Sequence, residues 1–180
     1  MNKKTIGVFA GSLRKGAYSR AVATLIANMM PANFTMKMIE IGNLPLYNED
    51  LDEEGSVPAP WTSFRAALKE LDGFLFVTPE YNRSFPAALK NALDVGSRPY
   101  GQNLWAQKPG AVVGVSPGRL GGFGAAHHLR QCMSFLDIYP MQQPEAYLGG
   151  VDAIVEGKSP ESLRYLQEIA DGFAAWTERF

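Results

Sequence analysis

Three short apolar runs recur along the chain, and each ends at residues typical of a turn. They are TIGVFA (5–10), GFLFVT (73–78) and GAVVGVS (110–116). Runs of this length without polar alternation are typical of strands buried on both faces of a parallel sheet. The segment FTMKM (34–38) alternates instead between apolar and polar residues, which predicts a half-exposed edge strand.

Apolar residues at helical spacing lie between and after these runs. Val22, Leu25, Ile26 and Met29 follow the i, i+3, i+4, i+7 pattern, and Pro31 ends that helix. The same spacing predicts four more helices, within residues 64–71, 86–93, 126–136 and 159–173. Pro60, Pro86 and Pro160 suit the first turn of their helices, and Ser159 is a predicted N-cap.

Strands that alternate with helices predict a parallel sheet covered by helices on both faces. We therefore expect a single α/β domain over residues 1–180, a three-layer sandwich with a five-stranded parallel sheet in the flavodoxin-like order 2-1-3-4-5. The fifth strand is the weakest prediction, because YPMQQPEAYL (139–148) contains two prolines. Residues 48–60 are predicted to form one acidic surface loop.

Composition narrows the class of partner. Seventeen Lys and Arg residues against eighteen Asp and Glu give a net charge of −1, so no overall field favours nucleic acid or an anionic membrane. The apolar run at the N-terminus is too short for a signal-peptide core, and we expect a cytoplasmic protein with a small-molecule partner. Cys132 is the sole cysteine, so neither a disulfide nor a metal cluster is predicted.

Ligands of open parallel sheets bind at the carboxyl ends of the strands, where the strand order reverses. Three predicted loops meet there, at residues 11–20, 79–85 and 116–122. The first loop, GSLRKGAYSR, combines two serine hydroxyls and Arg14 with a helix N-terminus, which together suit a phosphate. The alternative is that its glycines only shape a turn while Ser19 caps the helix.

The other two loops favour a planar ligand. TPEYNRSFP offers an aromatic and an amide between stiffening prolines, and SPGRLGGFG is rich enough in glycine for close backbone approach to a flat ring. A phosphate-type loop beside two such loops points to a phosphorylated planar cofactor, of which FMN is an example. The first loop matches neither a Walker A sequence nor the dinucleotide fingerprint.

The segments GSLRKGAYSR, TPEYNRSFPAALKNALDVGSRP and GVSPGRLGG resemble the NADPH-dependent FMN reductases, flavodoxin-like proteins that include bacterial quinone and chromate reductases and relatives of azoreductases. The resemblance runs from about residue 4 to about residue 150. It implies bound FMN, NADPH or NADH as co-substrate, and a small-molecule electron acceptor such as a quinone, azo dye, chromate or free flavin. It also implies a homodimer or homotetramer. Because the flavin carries the redox chemistry and one pocket would serve both substrates, we expect ping-pong kinetics and no catalytic side chain.

The resemblance also assigns cofactor-binding residues. Near the phosphate it places Ser12, Arg14 and Ser19 with the backbone of Ala17 and Tyr18; around the flavin ring it places Pro79, Glu80, Tyr81, Asn82, Arg83, Ser116, Pro117 and Gly118. Lys90, Asn91 and Asp94 belong to the same signature, and we expect them to anchor a loop.

The chain departs from the family pattern in the phosphate loop and at the mouth of the site. Relatives often read G-S-x-[FYL]-N where this chain has Gly16-Ala17-Tyr18-Ser19, and often have Tyr where it has Arg83. The added positive charge of Arg83 favours the extra phosphate of NADPH or an anionic acceptor. Arg14, Lys15 and Arg119 are further, weaker candidates for that phosphate.

Two other functions, an electron carrier and a serine hydrolase, fit parts of the sequence. A flavodoxin-type electron carrier would share the fold and the cofactor without turnover of its own. A serine hydrolase is suggested by GVSPG, which matches G-x-S-x-G, but the residue after Ser116 is Pro117, which lacks the N–H that the oxyanion hole of such an enzyme uses.

Overall fold

The middle layer of the molecule is a parallel sheet. In the computed structural model, which describes residues 3–53 and 55–180, the sheet has six strands. They are β1 (Lys4–Ala10), β2 (Phe34–Met38), β3 (Gly73–Pro79), β4 (Pro109–Val115), β5 (Tyr139–Pro140) and β6 (Ala146–Leu148). The order is β2-β1-β3-β4-β5, with β6 also paired to β4, and every pairing is parallel. The predicted flavodoxin-like order is confirmed.

The fifth position of the sheet is divided between two short strands. β5 pairs with the start of β4 at Pro109 and Gly110, and β6 pairs with its end at Val113–Val115. Proline has no N–H to donate to a ladder, so Pro140 and Pro144 interrupt what would otherwise be one strand. The single fifth strand expected from residues 139–148 is therefore two pieces.

Helices cover both faces of the sheet, as predicted. Their bounds are α1 (Tyr18–Met29), α2 (Ala59–Lys69), α3 (Ala87–Gly96), α4 (Phe123–Phe135), α5 (Val151–Val155) and α6 (Pro160–Thr177). One buried cluster joins one face of the sheet to α1, α5 and α6, and a second joins the other face to α2, α3 and α4. The short α5 was not predicted. The predicted N-cap is confirmed, since Ser159 Oγ accepts from the N–H of Ser162.

β1 shows how the sequence divides between the two faces. Successive side chains of a strand point to opposite sides, so Val8 packs with α1 and Phe9 packs with the ring of Trp105 on the other face. Trp105 is fully buried, and its indole N–H donates to Leu93 O at 3.0 Å. These contacts fix β1, whose end carries the first of the three predicted loops.

The acidic segment at 48–60 is more ordered than a surface loop. It contains a 3-10 turn at Glu49–Leu51, and Asp52 forms a partly buried, bidentate ion pair with Arg65 at 2.6 and 2.7 Å. Glu54 of this segment, and Met1 and Asn2 of the N-terminal stretch, lie outside the described residues. Within residues 3–53 and 55–180, no helix combines the length and the apolarity that crossing a bilayer requires.

A glycine in β4 allows the sheet to pack against the loop that follows it. A Cβ at Gly114 would lie 2.5 Å from the carbonyl oxygen of Gly121, which belongs to backbone and cannot swing aside. We expect Gly114→Ala to lower the free energy of unfolding by about 1–3 kcal/mol in urea denaturation, because overpacking forces the backbone to shift. In the control Gly118→Ala, the new Cβ would meet its nearest neighbour, Ser116 Oγ, at 3.4 Å. Equal stability of the two variants would contradict this packing argument.

Candidate active site

Two adjoining cavities lie beyond the carboxyl ends of β1, β3 and β4. We call the smaller, about 230 Å³, the inner cavity and the larger, about 480 Å³, the outer cavity. The inner cavity is lined by Ser12, Arg14, Ala17, Tyr18, Ser19, Pro79, Glu80, Tyr81, Val115, Ser116 and Pro117. The outer cavity is lined by Glu80, Asn82, Arg83, Ser116, Gly118, Arg119, Leu120 and Gly122. Every residue that the sequence predicted for the cofactor lines one of the two, and Glu80 and Ser116 line both.

The first loop is drawn tightly against the end of β3. Gly11 N–H donates to Val77 O at 2.9 Å, and a Cβ at Gly11 would lie 3.3 Å from Pro79 Cδ. Glycine therefore lets the two loops approach. Both loop serines are buried: Ser19 Oγ accepts from Ser12 N–H at 3.3 Å, and Ser12 Oγ lies 3.0 Å from the phenol oxygen of Tyr81.

The N-terminus of α1 opens onto the inner cavity without a cap. Ala17 occupies the N-cap position, no side chain accepts from the first turn, and that turn holds no acidic residue. The N–H of Ala17 donates to Arg14 O, whereas the N–H groups of Tyr18 and Ser19 have no acceptor among the described residues. The interpretation that Ser19 caps the helix is wrong, because Ser19 lies inside the first turn. Free N–H groups and the helix dipole make this a site for an anion.

Arg14 adds a positive charge at the rim of the inner cavity. Its guanidinium donates to Gly16 O at 3.2 Å and lies 5.7 Å from the ring centroid of Tyr18. The side chain is exposed, so it can turn towards an anion at the helix N-terminus.

The second loop contains a tight two-residue turn. Tyr81 and Ser84 exchange backbone hydrogen bonds at 2.7 and 3.1 Å, and the two residues between them, Asn82 and Arg83, have φ values of 50° and 73°. This is the backbone of a hairpin turn that asparagine adopts readily and arginine does not. The turn holds Asn82 and Arg83 at the outer cavity.

Glu80 links the second loop, after β3, to the helix α4 that follows the third loop. Its Oε2 accepts from the N–H groups of Gly124 and Ala125, at 2.8 and 3.2 Å, and so caps the N-terminus of α4. Ser84 Oγ makes a second link, 3.1 Å from His128 Nδ1. The side chain of Glu80 is therefore a positioning group that also borders both cavities.

The glycines of the third loop serve mainly the packing of the protein on itself. A Cβ at Gly121 would lie 2.4 Å from the backbone of Tyr147, and one at Gly122 would lie 2.9 Å from Val115 N. Both residues have positive φ. Of the glycines that the sequence placed against a flat ring, Gly118 and Gly122 line the outer cavity, and the N–H of Gly118 donates to Ser116 Oγ at 3.0 Å.

Several groups noted in the sequence have contacts elsewhere. His127 bonds the hydroxyl of Tyr147 and His128 bonds Ser84, so neither histidine is the partner of Ser116. Burial raises the pKa of the Cys132 thiol, which lowers the fraction present as the reactive thiolate. Asn91 anchors the segment 44–47 by three hydrogen bonds, and Lys90 pairs with Asp94 on the surface of α3.

The cofactor-binding residues predicted from the sequence did not include four residues that line the cavities, namely Val115, Arg119, Leu120 and Gly122. Val115 ends β4, and counting one residue back from Ser116 would have found it. Arg119 was considered only for a phosphate of the co-substrate. Leu120 carries no chemical signal of its own, and Gly122 was noted only as one glycine of a loop suited to a flat ring.

The residues present fit a planar molecule with a phosphate at one end. The inner cavity offers buried hydroxyls and unpaired N–H groups near α1, and the backbone of Pro79–Tyr81 and of Ser116–Gly118 borders the remaining space. Ligand pockets commonly span about 300–1,000 Å³, a range that the two cavities reach together. FMN has the shape and charge that this arrangement selects.

Comparison with known proteins agrees with this fit. The sequence profile of the NADPH-dependent FMN reductase family matches residues 5–152. The chain belongs to this family. As a member it is an FMN-dependent NAD(P)H oxidoreductase, and the predicted class of enzyme and both predicted cofactors are confirmed.

Three similar proteins match nearly the whole length of the chain. A quinone reductase from Pseudomonas putida is 52% identical over 177 residues, which are 97% of this chain and 95% of that protein. A 2-hydroxy-1,4-benzoquinone reductase from a Burkholderia species is 42% identical over 95% of this chain and 94% of its own. The structure is similar to that of FerB, a flavoenzyme NAD(P)H:(acceptor) oxidoreductase from Paracoccus denitrificans, with a TM-score of 0.90, 34% identity and 98% of each chain covered.

The role of Glu80 as a helix cap can be tested in the flavin-free protein. We expect Glu80→Ala to lower the free energy of unfolding by about 1–2 kcal/mol, because the N–H groups of Gly124 and Ala125 lose their acceptor. Glu80→Gln keeps one oxygen for them and should lose about half as much. Urea denaturation monitored by circular dichroism measures both. Identical losses in the two variants would contradict the cap.

Proposed function

We propose that this chain is a quinone reductase that holds the phosphate of FMN in the inner cavity and its ring where the two cavities adjoin, and that admits NAD(P)H and the quinone in turn from the outer cavity. The observation that carries the proposal is the meeting of the three predicted loops around an uncapped helix N-terminus. The names of the two relatives described above, a quinone reductase and a 2-hydroxy-1,4-benzoquinone reductase, support a quinone as the acceptor.

In this proposal the first loop binds the phosphate. The N–H groups of Tyr18 and Ser19, the hydroxyls of Ser12 and Ser19 and the guanidinium of Arg14 are the donors, and Ala17 keeps the helix N-terminus free of a competing side chain. The ring would lie between the second and third loops, bordered by Pro79, Glu80, Tyr81, Asn82 and Arg83 on one side and by Ser116, Pro117 and Gly118 on the other.

When bound, FMN supplies the redox chemistry by accepting a hydride from the nicotinamide and passing electrons to the acceptor. The protein contributes position, through the loops that Glu80 and Gly11 hold together. The groups best placed for proton transfer already have partners, since Glu80 caps α4 and the Tyr81 hydroxyl meets Ser12. One outer cavity cannot hold both substrates over the same ring, so we expect ping-pong kinetics.

The phosphate assignment is tested by comparing FMN with riboflavin, which lacks the phosphate. We expect Arg14→Ala to weaken FMN about tenfold, because a charge-assisted hydrogen bond is lost, and to leave riboflavin unchanged. Fluorescence titration of the flavin-free protein measures both dissociation constants. Arg20→Ala is the matched control, because Arg20 lies in the first turn of α1, near Arg14 in the chain, and pairs with Glu40 away from the cavity. An equal effect on the two flavins would contradict the assignment.

The enzyme is separated from an electron carrier by supplying NADPH without a partner protein. We expect NADPH to bleach the visible absorption of the FMN-loaded protein under anaerobic conditions within seconds, and 1,4-naphthoquinone to restore it. Initial rates at varied NADPH and quinone should give parallel reciprocal plots. Absorption that persists with both NADPH and NADH would favour the carrier, and intersecting plots would contradict a shared cavity.

We further infer a single cytoplasmic domain over residues 1–180 that assembles as a homodimer or homotetramer. The surface between α3 and α4 supports assembly, because it holds an apolar cavity of about 470 Å³ beside Phe135, whose exposed fraction is 90%.

Light scattering, which measures the mass of the assembly in solution, tests this surface by comparing wild type with Phe135→Asp. We expect the substitution to shift the mass towards the monomer, and a wild-type monomer would refute the assembly.

A further inference from the structure

Two arginines from different loops line the outer cavity. Arg83 lies in the loop after β3 and Arg119 in the loop after β4, and both side chains are exposed. Within residues 3–53 and 55–180, Arg119 has no ion-pair partner. Neither guanidinium packs in the core, so both remain accessible to a ligand in the cavity.

The backbone at Arg83 is in a conformation that arginine disfavours. Its φ of 73° is in the left-handed region, at the second central position of the turn between Tyr81 and Ser84, where glycine is the common residue. Strain kept at the mouth of a cavity is a reason to look for a function of the side chain. The turn also fixes the point from which the guanidinium reaches into the outer cavity.

The ion pair of Arg83 is weak enough to be exchanged for another partner. Its Nη1 lies 3.3 Å from Glu80 Oε1, and 76% of the arginine side chain is exposed. The other oxygen of Glu80 is held by the N–H groups at the start of α4, so the carboxylate stays compensated if Arg83 turns away. An ion pair whose arginine is this exposed contributes little to stability, and a bound anion can replace the carboxylate as the partner of Arg83.

The charges around the outer cavity favour an anion. Arg83 and Arg119 face it with Glu80 as the one acidic residue of its lining, and the helix N-terminus of α4 offsets that carboxylate. Two guanidinium groups at one cavity suit the oxygen atoms of a phosphate, a sulfonate or an ionised hydroxyquinone.

We propose that Arg83 and Arg119 form an anion subsite that binds the acidic group of a substrate entering the outer cavity. This inference rests on the proposed function and adds the class of substrate that the site prefers. The anion has two possible sources, the 2′-phosphate of NADPH and an acidic substituent on the quinone. Separate measurements distinguish them.

The first measurement is equilibrium binding of NADP⁺ and NAD⁺ to the FMN-loaded protein by isothermal titration calorimetry. If the source is the 2′-phosphate, Arg83→Gln and Arg119→Gln should each lower the preference for NADP⁺ over NAD⁺ about tenfold, since each removes a charged hydrogen-bond donor. The control Arg20→Gln should keep the wild-type preference.

The second measurement compares the Michaelis constants for a charged and a neutral acceptor, with NADH as the donor. The charged acceptor is naphthoquinone sulfonate, and the neutral one is the parent naphthoquinone. If the source is the acceptor, the same substitutions should raise the Michaelis constant for the sulfonate about tenfold relative to the neutral quinone. A selective change in either comparison supports the subsite and identifies the source. Ratios within about twofold of wild type in both comparisons, in the double variant as well, would overturn it.

Failure of the proposed function would look different. A wild-type protein that reduces neither quinone would refute quinone reduction. The ratio of NADP⁺ to NAD⁺ affinity would still test the subsite in that case. A lost preference for NADP⁺ in the variants would support the subsite, and an unchanged ratio would overturn it. Because neither arginine is buried, loss of folding does not confuse the result, and circular dichroism of each variant checks this.

Discussion

The site depends on a reversal in the order of parallel strands. The chain leaves β1 towards β2 on one side and leaves β3 towards β4 on the other, so the loops that follow β1 and β3 diverge and open a crevice between them. All carboxyl ends lie at the same edge, which brings the loop after β4 to the same place. α1 begins at this edge, and its N-terminus therefore points its free N–H groups into the crevice. A phosphate site follows from topology before any side chain is considered.

Close backbone contacts then turn the crevice into a defined cavity. Gly11 lets the first loop lie against Pro79, and Gly114 lets the third loop lie against β4. Glu80 joins the second loop to the start of α4, so the two walls of the outer cavity hold each other in place. In the proposed function, the flavin supplies the redox chemistry, and the protein uses these contacts to fix where the ring and the substrates lie.

The sequence predicted those features that depend on local pattern. Apolar runs such as GFLFVT gave the buried strands, and Pro160 with Ser159 gave the start of α6, because both signals act within a few residues. The sequence did not predict contacts between residues that lie far apart along the chain. Nothing near Glu80 in the chain indicates that its carboxylate caps a helix more than forty residues later, at Gly124. The glycines at 121 and 122 suggested a ligand, whereas their neighbours are the protein's own backbone at Tyr147 and Val115.

The central claim is that the uncapped N-terminus of α1 holds the phosphate of FMN. The most direct measurement is the change in backbone amide chemical shifts when FMN is added to ¹⁵N-labelled, flavin-free protein. The account predicts that the amide protons of Tyr18 and Ser19 move furthest downfield, as expected for N–H groups that gain an anionic acceptor, and that riboflavin does not reproduce this movement. Shifts of equal size with riboflavin, or shifts centred on the surface between α3 and α4, would contradict it.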